Sequence, residues 1–287
     1  MTDDGSKELA KAIIDRQVRR WDEAIAGWSS DPNSDLGAPE LLEACRRPHE
    51  LQRTAMPEPY VGDPYASNLA AMLNLNPGGM EREQVPQGSL YESVRSSSYS
   101  WEVSAWKVAP ATIKWWKARE RWVARLLGRE PNAARPVDLF GLDIFPWHSE
   151  SWGGLRWTDG SRTWVVDNVL AFASAASRRT VLGQESIAAG NSPVVLGVGK
   201  AVHEIMQIIG ARCIATRSGG EGWPEREPGR PVNRDFALHE HSFKAESGER
   251  LRYRVLVSWA PGSNRPPGRQ FDHIIRDILA IESRPRA

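Results

Sequence analysis

Residues 194–209, VVLGVGKAVHEIMQII, decide the fold of this chain. The first five residues are all apolar or glycine, which is typical of a strand that is buried on both faces. From residue 199 to residue 209 the apolar residues recur at helical spacing, so we predict a helix directly after the strand. A buried strand followed at once by a helix is the repeating unit of an α/β fold.

The same alternation of strands and helices continues along the chain in both directions. Further strands are predicted at residues 68–75, 137–145, 211–215, 236–243 and 251–259. Helices are predicted at residues 6–28, 112–127, 165–177 and 270–281. Several strands are apolar on both faces, so we predict a three-layer α/β/α fold with a central, mostly parallel four-stranded sheet. Residues 1–60 are expected to form an N-terminal helical extension packed on the core, and residues 61–287 the α/β domain.

The composition limits the class of protein. The chain has 287 residues, 37 Lys and Arg against 36 Asp and Glu, and a net charge of +1, so any polyanion must be bound by a local basic surface. Two cysteines exclude a disulfide framework, a four-cysteine zinc site and a cysteine-ligated iron–sulfur cluster. No apolar run is long enough to span a membrane, and the acidic start is not a secretory signal, so we expect a cytoplasmic protein.

Three of the predicted strands end in loops that contain polar, proline and glycine residues. In parallel sheets the ligand sits beyond the carboxyl ends of the strands, so the loops at 76–79, 143–149 and 260–265 are expected to surround one pocket. The first of these continues the stretch LNLNPGGM at 73–80, in which a strand ends in Asn-Pro-Gly. Taken alone, Asn-Pro-Gly is also the composition of an ordinary turn.

A longer pattern around this turn resembles a known family. NPGGM at 76–80, followed after four residues by VPQG at 85–88, resembles the first active-site motif of the single-strand-selective monofunctional branch of the uracil-DNA glycosylase superfamily. DIFP at 143–146 is similar to the family's Asn-His-Cys-Pro segment. VVLGVGKA at 194–201 resembles the third segment, and 255–265 lies where the family's DNA-inserting loop is found.

This resemblance extends in pieces over residues 68–283 and implies a central parallel sheet between helices. It also implies an enzyme that flips a base out of DNA and hydrolyses its N-glycosidic bond. Asn76 matches the residue that positions the attacking water, and Gly78 replaces a Tyr that closes the C5 side of the base in uracil-specific members. The resemblance further implies base contacts from Gly79, Met80, Pro86, Gln87, Asp143 and Phe145. By position, the residues expected to contact DNA are Gly199, Lys200, Pro261, Gly262, Ser263, Asn264 and Arg265.

Asp143 departs from the family pattern, because it stands where the family has a base-reading Asn. An amide can accept from uracil N3–H and donate to O4, whereas an ionised carboxylate can only accept. Cytosine offers its N4 amino group to a carboxylate, and its N3 needs a proton that a buried Asp with a raised pKa can carry. The alternative is a structural Asp that caps the next turn. Gln87 stands in place of a stacking Phe, and Phe145 or a nearby Trp is the candidate replacement.

The catalytic His of the last family motif is also missing, since Trp259-Ala260-Pro261 contains no imidazole. His148 is a candidate for its role, as is donation from Asp143 itself, and the alternative for His148 is a hydrogen-bonded loop histidine. His239 and His241 flank Glu240 and would share one strand face, which is compatible with metal ligation. No third ligand is indicated, so we expect a surface strand and predict no metal.

Residues 106–136 carry eight Lys or Arg and two Glu, a net charge of +6, with four interleaved Trp. A basic helix of this kind suits contact with the DNA backbone, but it equally fits an amphipathic helix with its Trp packed inward.

Together these features predict a monofunctional DNA glycosylase for a C5-modified cytosine, such as hydroxymethylcytosine or its glucosylated form in phage DNA, with a role in antiviral defence. The alternatives are a repair glycosylase for uracil or hydroxymethyluracil, and an inert DNA-binding module on the same scaffold. The expected partner is double- or single-stranded DNA. We predict no organic cofactor, no membrane contact and no obligate protein partner.

Overall fold

The structure is a computed structural model that describes ten stretches of the chain. They are residues 3–53, 57–75, 110–131, 138–149, 154–218, 225–227, 230–231, 234–244, 250–260 and 265–280. The motif at 76–88 and the loop residues 261–264 lie outside the described residues.

The described residues form eight α-helices. These are α1 Asp3–Ser30, α2 Pro39–Ala44, α3 Pro110–Leu126, α4 Asp159–Val165, α5 Ala171–Ser177, α6 Val181–Ala188, α7 Lys200–Ile208 and α8 Asp272–Leu279. One π-helical turn, Val166–Leu170, joins α4 to α5, and short 3-10 helices lie at Pro48–Glu50 and Arg269–Phe271. Thr158 begins α4 with a capping box, in which its side chain and that of Ser161 each accept a hydrogen bond from the other's backbone N–H.

Seven of the nine described strands form one mixed sheet in the order β1-β3-β2-β4-β9-β8-β5. The strands are β1 Tyr60–Val61, β2 Ala71–Asn74, β3 Phe140–Asp143, β4 Val194–Val198, β5 Arg212–Arg217, β8 Asp235–Lys244 and β9 Arg250–Trp259. The remaining pair is β6 Glu225–Glu227 with β7 Arg230–Pro231. The neighbours β3, β2, β4 and β9 are parallel, whereas β1, β8 and β5 join antiparallel at the sides. The α/β class is confirmed, but the sheet has seven strands and not the four predicted.

Both faces of the sheet are covered by apolar side chains from helices. One core contains Trp21 and Trp28 of α1, together with Phe172 of α5 and Val202 of α7. The other contains side chains of α3 and α8. Burial on both faces explains why β2, β3 and β4 are almost entirely apolar. Because α1 contributes to the first core, residues 1–60 share a core with the sheet, and the proposed division at residue 60 stays a prediction.

A glycine sets the position of α3 on the sheet. The ring of Trp116 lies directly against Gly141 of β3, and a Cβ at position 141 would overlap that ring. Trp116 is 3% exposed, so the close approach is fully buried. The missing side chain at 141 therefore lets α3 sit close to β3 and brings the next turn of α3 to the carboxyl end of this strand.

Among the helices that the structure describes, none combines the length and the apolar character needed to cross a membrane.

Candidate functional site

Asp143 and Asn74 lie side by side at the carboxyl ends of two parallel strands. They are register partners as the last residues of β3 and β2. The pairing continues beyond the strands, because Ile144 N–H donates to the Asn74 carbonyl at 3.0 Å and Phe145 N–H to the Leu75 carbonyl at 2.9 Å. Leu75, the last described residue before position 76, is therefore held beside the residues that follow Asp143.

The Asp143 carboxyl is buried, with 4% of the residue exposed. Desolvation is the main reason that its pKa lies well above the usual 3.8, and the nearby Glu58 carboxyl raises it further. Arg119 and the side-chain amide of Asn74 act in the opposite direction. The larger causes favour the protonated form, so Asp143 can hold a proton at a pH where an exposed Asp has lost it.

Glu58 is a second acidic residue of this site, and no sequence motif around it would have identified it. Backbone bonds hold it beside β3: Glu58 N–H donates to the Pro146 carbonyl at 3.0 Å, and Asp143 N–H donates to the Pro59 carbonyl at 3.1 Å. Burial raises the pKa of Glu58, and His148 opposes this shift. The two-residue antiparallel strand β1 that follows Glu58 fixes this arrangement.

His148 is 1% exposed, and its Nε2 lies 3.7 Å from Glu58 Oε1. His148, which was predicted as a site residue, therefore lies beside Glu58, and Glu58 in turn acts on Asp143. Phe145 is fully buried and packs on Trp147, with ring centroids 4.9 Å apart. Its ring lies in the core that contains α1 and α5, so it packs against protein and offers no open surface in this structure.

The cation of the site comes from α3. Arg119 is 2% exposed, its guanidinium lies 3.0 Å from the centroid of the Trp115 ring, and Nη1 donates to the Trp115 carbonyl at 3.2 Å. Burial lowers the pKa of Arg119 to about 9, while the charge of Asp143 raises it. Arg119 therefore remains protonated at neutral pH and partly offsets the buried carboxyls.

Asn74 was not predicted as a site residue. Its side chain lies close enough to Asp143 to favour the ionised carboxyl, but it makes no hydrogen bond of normal geometry. Both amide atoms are buried without a hydrogen-bond partner within the described part of the chain. Since buried polar groups are normally paired, this amide has one donor group and one acceptor available for a ligand.

A second group of side chains lies at the carboxyl ends of β4 and β9. His203, on the first turn of α7, stacks on Trp259 with ring centroids 4.4 Å apart and planes 24° apart. Its Nδ1 lies 2.9 Å from Nε2 of His239 on β8. Burial lowers the pKa of both histidines, that of His239 to about 4, so both rings are neutral at pH 7.

The prediction that His239 lies on a surface strand is wrong, because it is fully buried and bound to His203. The sequence could not place His203 and His239 together, since they are 36 residues apart on a helix and a strand. Trp259 thus has an imidazole beside it although its own segment contains none. Within the described residues, no three His, Cys, Asp or Glu side chains form a group that could hold a metal ion.

Of the residues expected to contact DNA, Gly199, Lys200 and Arg265 are described. Gly199 has a φ of +111°, which favours glycine, and its N–H donates to the Ser258 carbonyl at 2.9 Å. Lys200 is exposed at the start of α7 and lies 3.5 Å from Glu204. Arg265 is exposed, and its carbonyl accepts from Arg234.

The remaining residues of the predicted site lie outside the described residues. They are Asn76, Gly78, Gly79, Met80, Pro86, Gln87, Pro261, Gly262, Ser263 and Asn264.

The Trp residues of the basic segment divide between core and surface. Trp116 and Trp122 are buried against the sheet, and Trp115 is 37% exposed beneath Arg119. Inward packing therefore accounts for two of the four, whereas Trp106 lies outside the described residues. The basic side chains of α3 that point away from the core are Lys114 and Arg121.

Comparisons with family models, curated proteins and solved structures found no match for this chain.

Proposed function

We propose that this chain is a monofunctional DNA glycosylase that excises a C5-modified cytosine. The observation that carries the proposal is the buried Asp143 carboxyl at the carboxyl end of a parallel strand, next to Asn74 at the end of the neighbouring strand. In α/β sheets this edge is where ligands bind. The resemblance of 76–88 to a glycosylase motif supplies the reaction class, and the raised pKa of Asp143 supports the choice of base.

The preference for cytosine follows from where the proton resides. A protonated Asp143 donates to cytosine N3 through its O–H, and its carbonyl oxygen accepts from the N4 amino group. Uracil has a donor at N3 and an acceptor at O4, so it pairs with the protonated acid only in the reversed orientation, and an ionised Asp143 would repel its O4. The buried Asn74 amide next to it offers a donor and an acceptor to a substituted base, and Gly78 would leave the C5 side open.

The reaction is a hydrolysis. As the bond between C1′ and N1 breaks, its electron pair remains with the base, and the proton of Asp143 neutralises that charge at N3. Water held by Asn76 adds to C1′ and loses its proton to solvent, from which Asp143 is protonated again. Burial and Glu58 raise the pKa of Asp143, which favours keeping this proton, and Arg119 opposes the rise, which favours its release.

The resulting abasic site would block replication of DNA that carries such bases. We therefore propose phage DNA containing hydroxymethylcytosine or its glucosylated form as the target. Excision there would act as defence and leave unmodified DNA intact.

The test uses four oligonucleotides that carry uracil, cytosine, hydroxymethylcytosine or glucosylated hydroxymethylcytosine at one position. Each is incubated with the full-length protein in single- and double-stranded form and then treated with alkali, which cleaves at abasic sites. We expect strand cleavage with one or both modified cytosines and none with unmodified cytosine. Cleavage confined to uracil would contradict the base assignment, and binding without cleavage of any oligonucleotide would indicate an inert DNA-binding module.

A further inference from the structure

A cleft of about 810 Å³ opens between the end of α3 and the segment that leads into α8. Four of its lining residues are arginines, namely Arg121, Arg125, Arg129 and Arg269, and the acidic lining residue is Glu130. Pro266 and Pro267 form part of the opposite wall. This cleft lies apart from the Asp143 site, because Arg119, which contacts that site, is not among its lining residues.

One arginine forms part of the frame of the cleft. Arg125 donates to both carboxylate oxygens of Asp272, at 2.6 Å and 3.0 Å, and to the Pro267 carbonyl at 3.2 Å. Arg276 donates to the carbonyls of Arg125 and Leu126 at the end of α3, at 3.0 Å and 3.1 Å. These contacts join α3, α8 and the proline segment, so the cleft walls are held together by charged hydrogen bonds.

The other three arginines are exposed at the cleft. Arg121 and Arg125 are four residues apart on α3, about 6 Å along its axis, and Arg129 lies just beyond the end of this helix at Leu126. Guanidinium groups bind phosphate through paired hydrogen bonds and stay charged at all physiological pH values. Several guanidinium groups around one cleft suit a polymer with repeated anionic groups better than a single small anion.

The cleft also has a defined relation to the sheet edge. Pro266 follows the 261–265 loop, which begins at the carboxyl end of β9. Arg234 fixes both sides of that loop by donating to Ser258 Oγ at 2.8 Å and to the Arg265 carbonyl at 3.0 Å. The cleft is therefore one residue along the chain from the loop predicted to enter DNA.

We propose that this cleft binds the phosphodiester backbone of DNA, independently of which base is present. The proposal rests on the proposed function only for the choice of DNA as the polymer. Arg121, Arg129 and Arg269 contact phosphates, and Arg125 with Asp272 keeps the cleft in shape.

The test measures binding of unmodified DNA, so that it does not depend on catalysis. Fluorescence anisotropy follows a labelled oligonucleotide, as duplex and as single strand, over a series of salt concentrations. The variant combines Arg121→Gln, Arg129→Gln and Arg269→Gln. The control is Arg162→Gln on α4, which removes a partly exposed arginine that lies 2.9 Å from Asp159 and away from the cleft.

We expect the triple variant to bind at least 10-fold more weakly near 0.1 M salt, and the slope of log K against log salt to fall by about 0.9 for each lost phosphate contact. The control should match the wild type, and melting temperatures of all proteins should agree. Equal affinity and slope for the wild type and the triple variant would overturn the proposal, as would absence of binding by the wild type. If no oligonucleotide is cleaved but this binding difference is seen, the glycosylase proposal is contradicted and the DNA-binding proposal is not.

Discussion

The carboxyl edge of the sheet carries two groups of buried ionisable side chains with opposite character. Above β2 and β3, Asp143 and Glu58 are acids whose pKa values are raised. Above β4 and β9, His203 and His239 are bases whose pKa values are lowered. Burial is the main cause in both groups, and it disfavours the charged form of each. The difference is that the buried cation Arg119 acts on the first group, whereas the charges that act on His203 in the second group are those of Glu204, Lys200 and Asp235.

The two groups should give stability opposite dependences on pH. Between its usual and its raised pKa, the folded acid holds a proton that the unfolded chain has lost, so Asp143 and Glu58 make stability fall as pH rises above about 4. Between pH 6.5 and about 4 the unfolded chain protonates His239 and the folded protein does not, so stability there falls as pH is lowered. In the intact protein the two effects partly cancel.

The largest expected effect is on the rate of base excision, in which we assign a part to the acidic group and none to the histidine group. Asp143→Asn keeps the size of the side chain but cannot donate a proton to cytosine N3, so cleavage at modified cytosine should fall about 100-fold or more. Cleavage at uracil should increase relative to it, because an amide suits uracil. Alkali-dependent cleavage rates on the two substrates measure this ratio.

The control for this change is Asp138→Asn, a buried Asp that precedes the same strand at its opposite end. It should leave the substrate ratio unchanged. An unaltered ratio in Asp143→Asn would mean that the acidic group has no part in reading the base.

The next effect tests how each group is held in place. Gly141→Ala would push Trp116 and α3 away from the acidic group and should destabilise the protein by about 1–3 kcal/mol. Gly197→Ala, beside the histidine group, would meet the side chain of Val202 at 2.9 Å, against 1.9 Å from the Trp116 ring at position 141, and should cost less because the overlap is smaller. Urea unfolding compares the two.

Gly27→Ala on α1 provides the reference for these substitutions. A Cβ at that position meets nothing within 4 Å, so the helix should gain up to about 1 kcal/mol. Equal losses at positions 141 and 197 would show that the two helices depend on their strands to the same degree.

A smaller effect isolates the histidine group. In the wild type, His239 lowers the free energy of unfolding by on the order of 2–3 kcal/mol as the pH falls from 6.5 to about 4. His239→Phe removes the buried imidazole and therefore this acid-induced loss. The variant should therefore be more resistant to acid than the wild type, while the lowered pKa of His203 retains part of the acid sensitivity. Thermal unfolding over pH 4–8 tests this, and a profile parallel to the wild type would contradict it.

The smallest effect concerns the coupling between the two acids. Glu58→Gln removes a charge that raises the pKa of Asp143, so that pKa should fall and the loss of stability with rising pH should become less steep. The free energy of unfolding should change by about 1 kcal/mol or less. Carbon-13 NMR titration of the Asp143 carboxyl measures the shift.

Glu204→Gln, an exposed change beside the histidine group, serves as the control for Glu58→Gln. It should leave the titration of Asp143 where it is. A constant Asp143 titration in Glu58→Gln would rule out electrostatic coupling between the two acids.

The strands and helices that leave a continuous apolar pattern in the sequence could be predicted from it. Apolar runs located β2, β3 and β4, and helical periodicity located α3 and α7, because burial on both faces or on one face leaves a visible period. The strand β1 was missed because it has two residues, and Glu58 before it carries no motif.

Pairs of residues distant in sequence could not be predicted. His239 was expected on the surface because no third metal ligand is indicated with it, and only the three-dimensional structure shows that its ring is covered by His203 of α7. The fit of Trp116 on Gly141 likewise depends on three-dimensional packing. Asp143, by contrast, was singled out because it matches the base-reading Asn of the family that the chain resembles, and the apolar strand before it placed it at the carboxyl edge of the sheet.

Arg234 has a consequence for how this protein could diversify. One guanidinium bridges Ser258 and Arg265, so the four residues between Ala260 and Arg265 start and end at points fixed by a side chain outside the loop. The identity of those four residues is thereby largely uncoupled from the stability of the sheet. We therefore expect that residues 261–264 can be exchanged together without rebuilding the fold, and under the proposed glycosylase function such exchanges would alter which DNA modification is recognised.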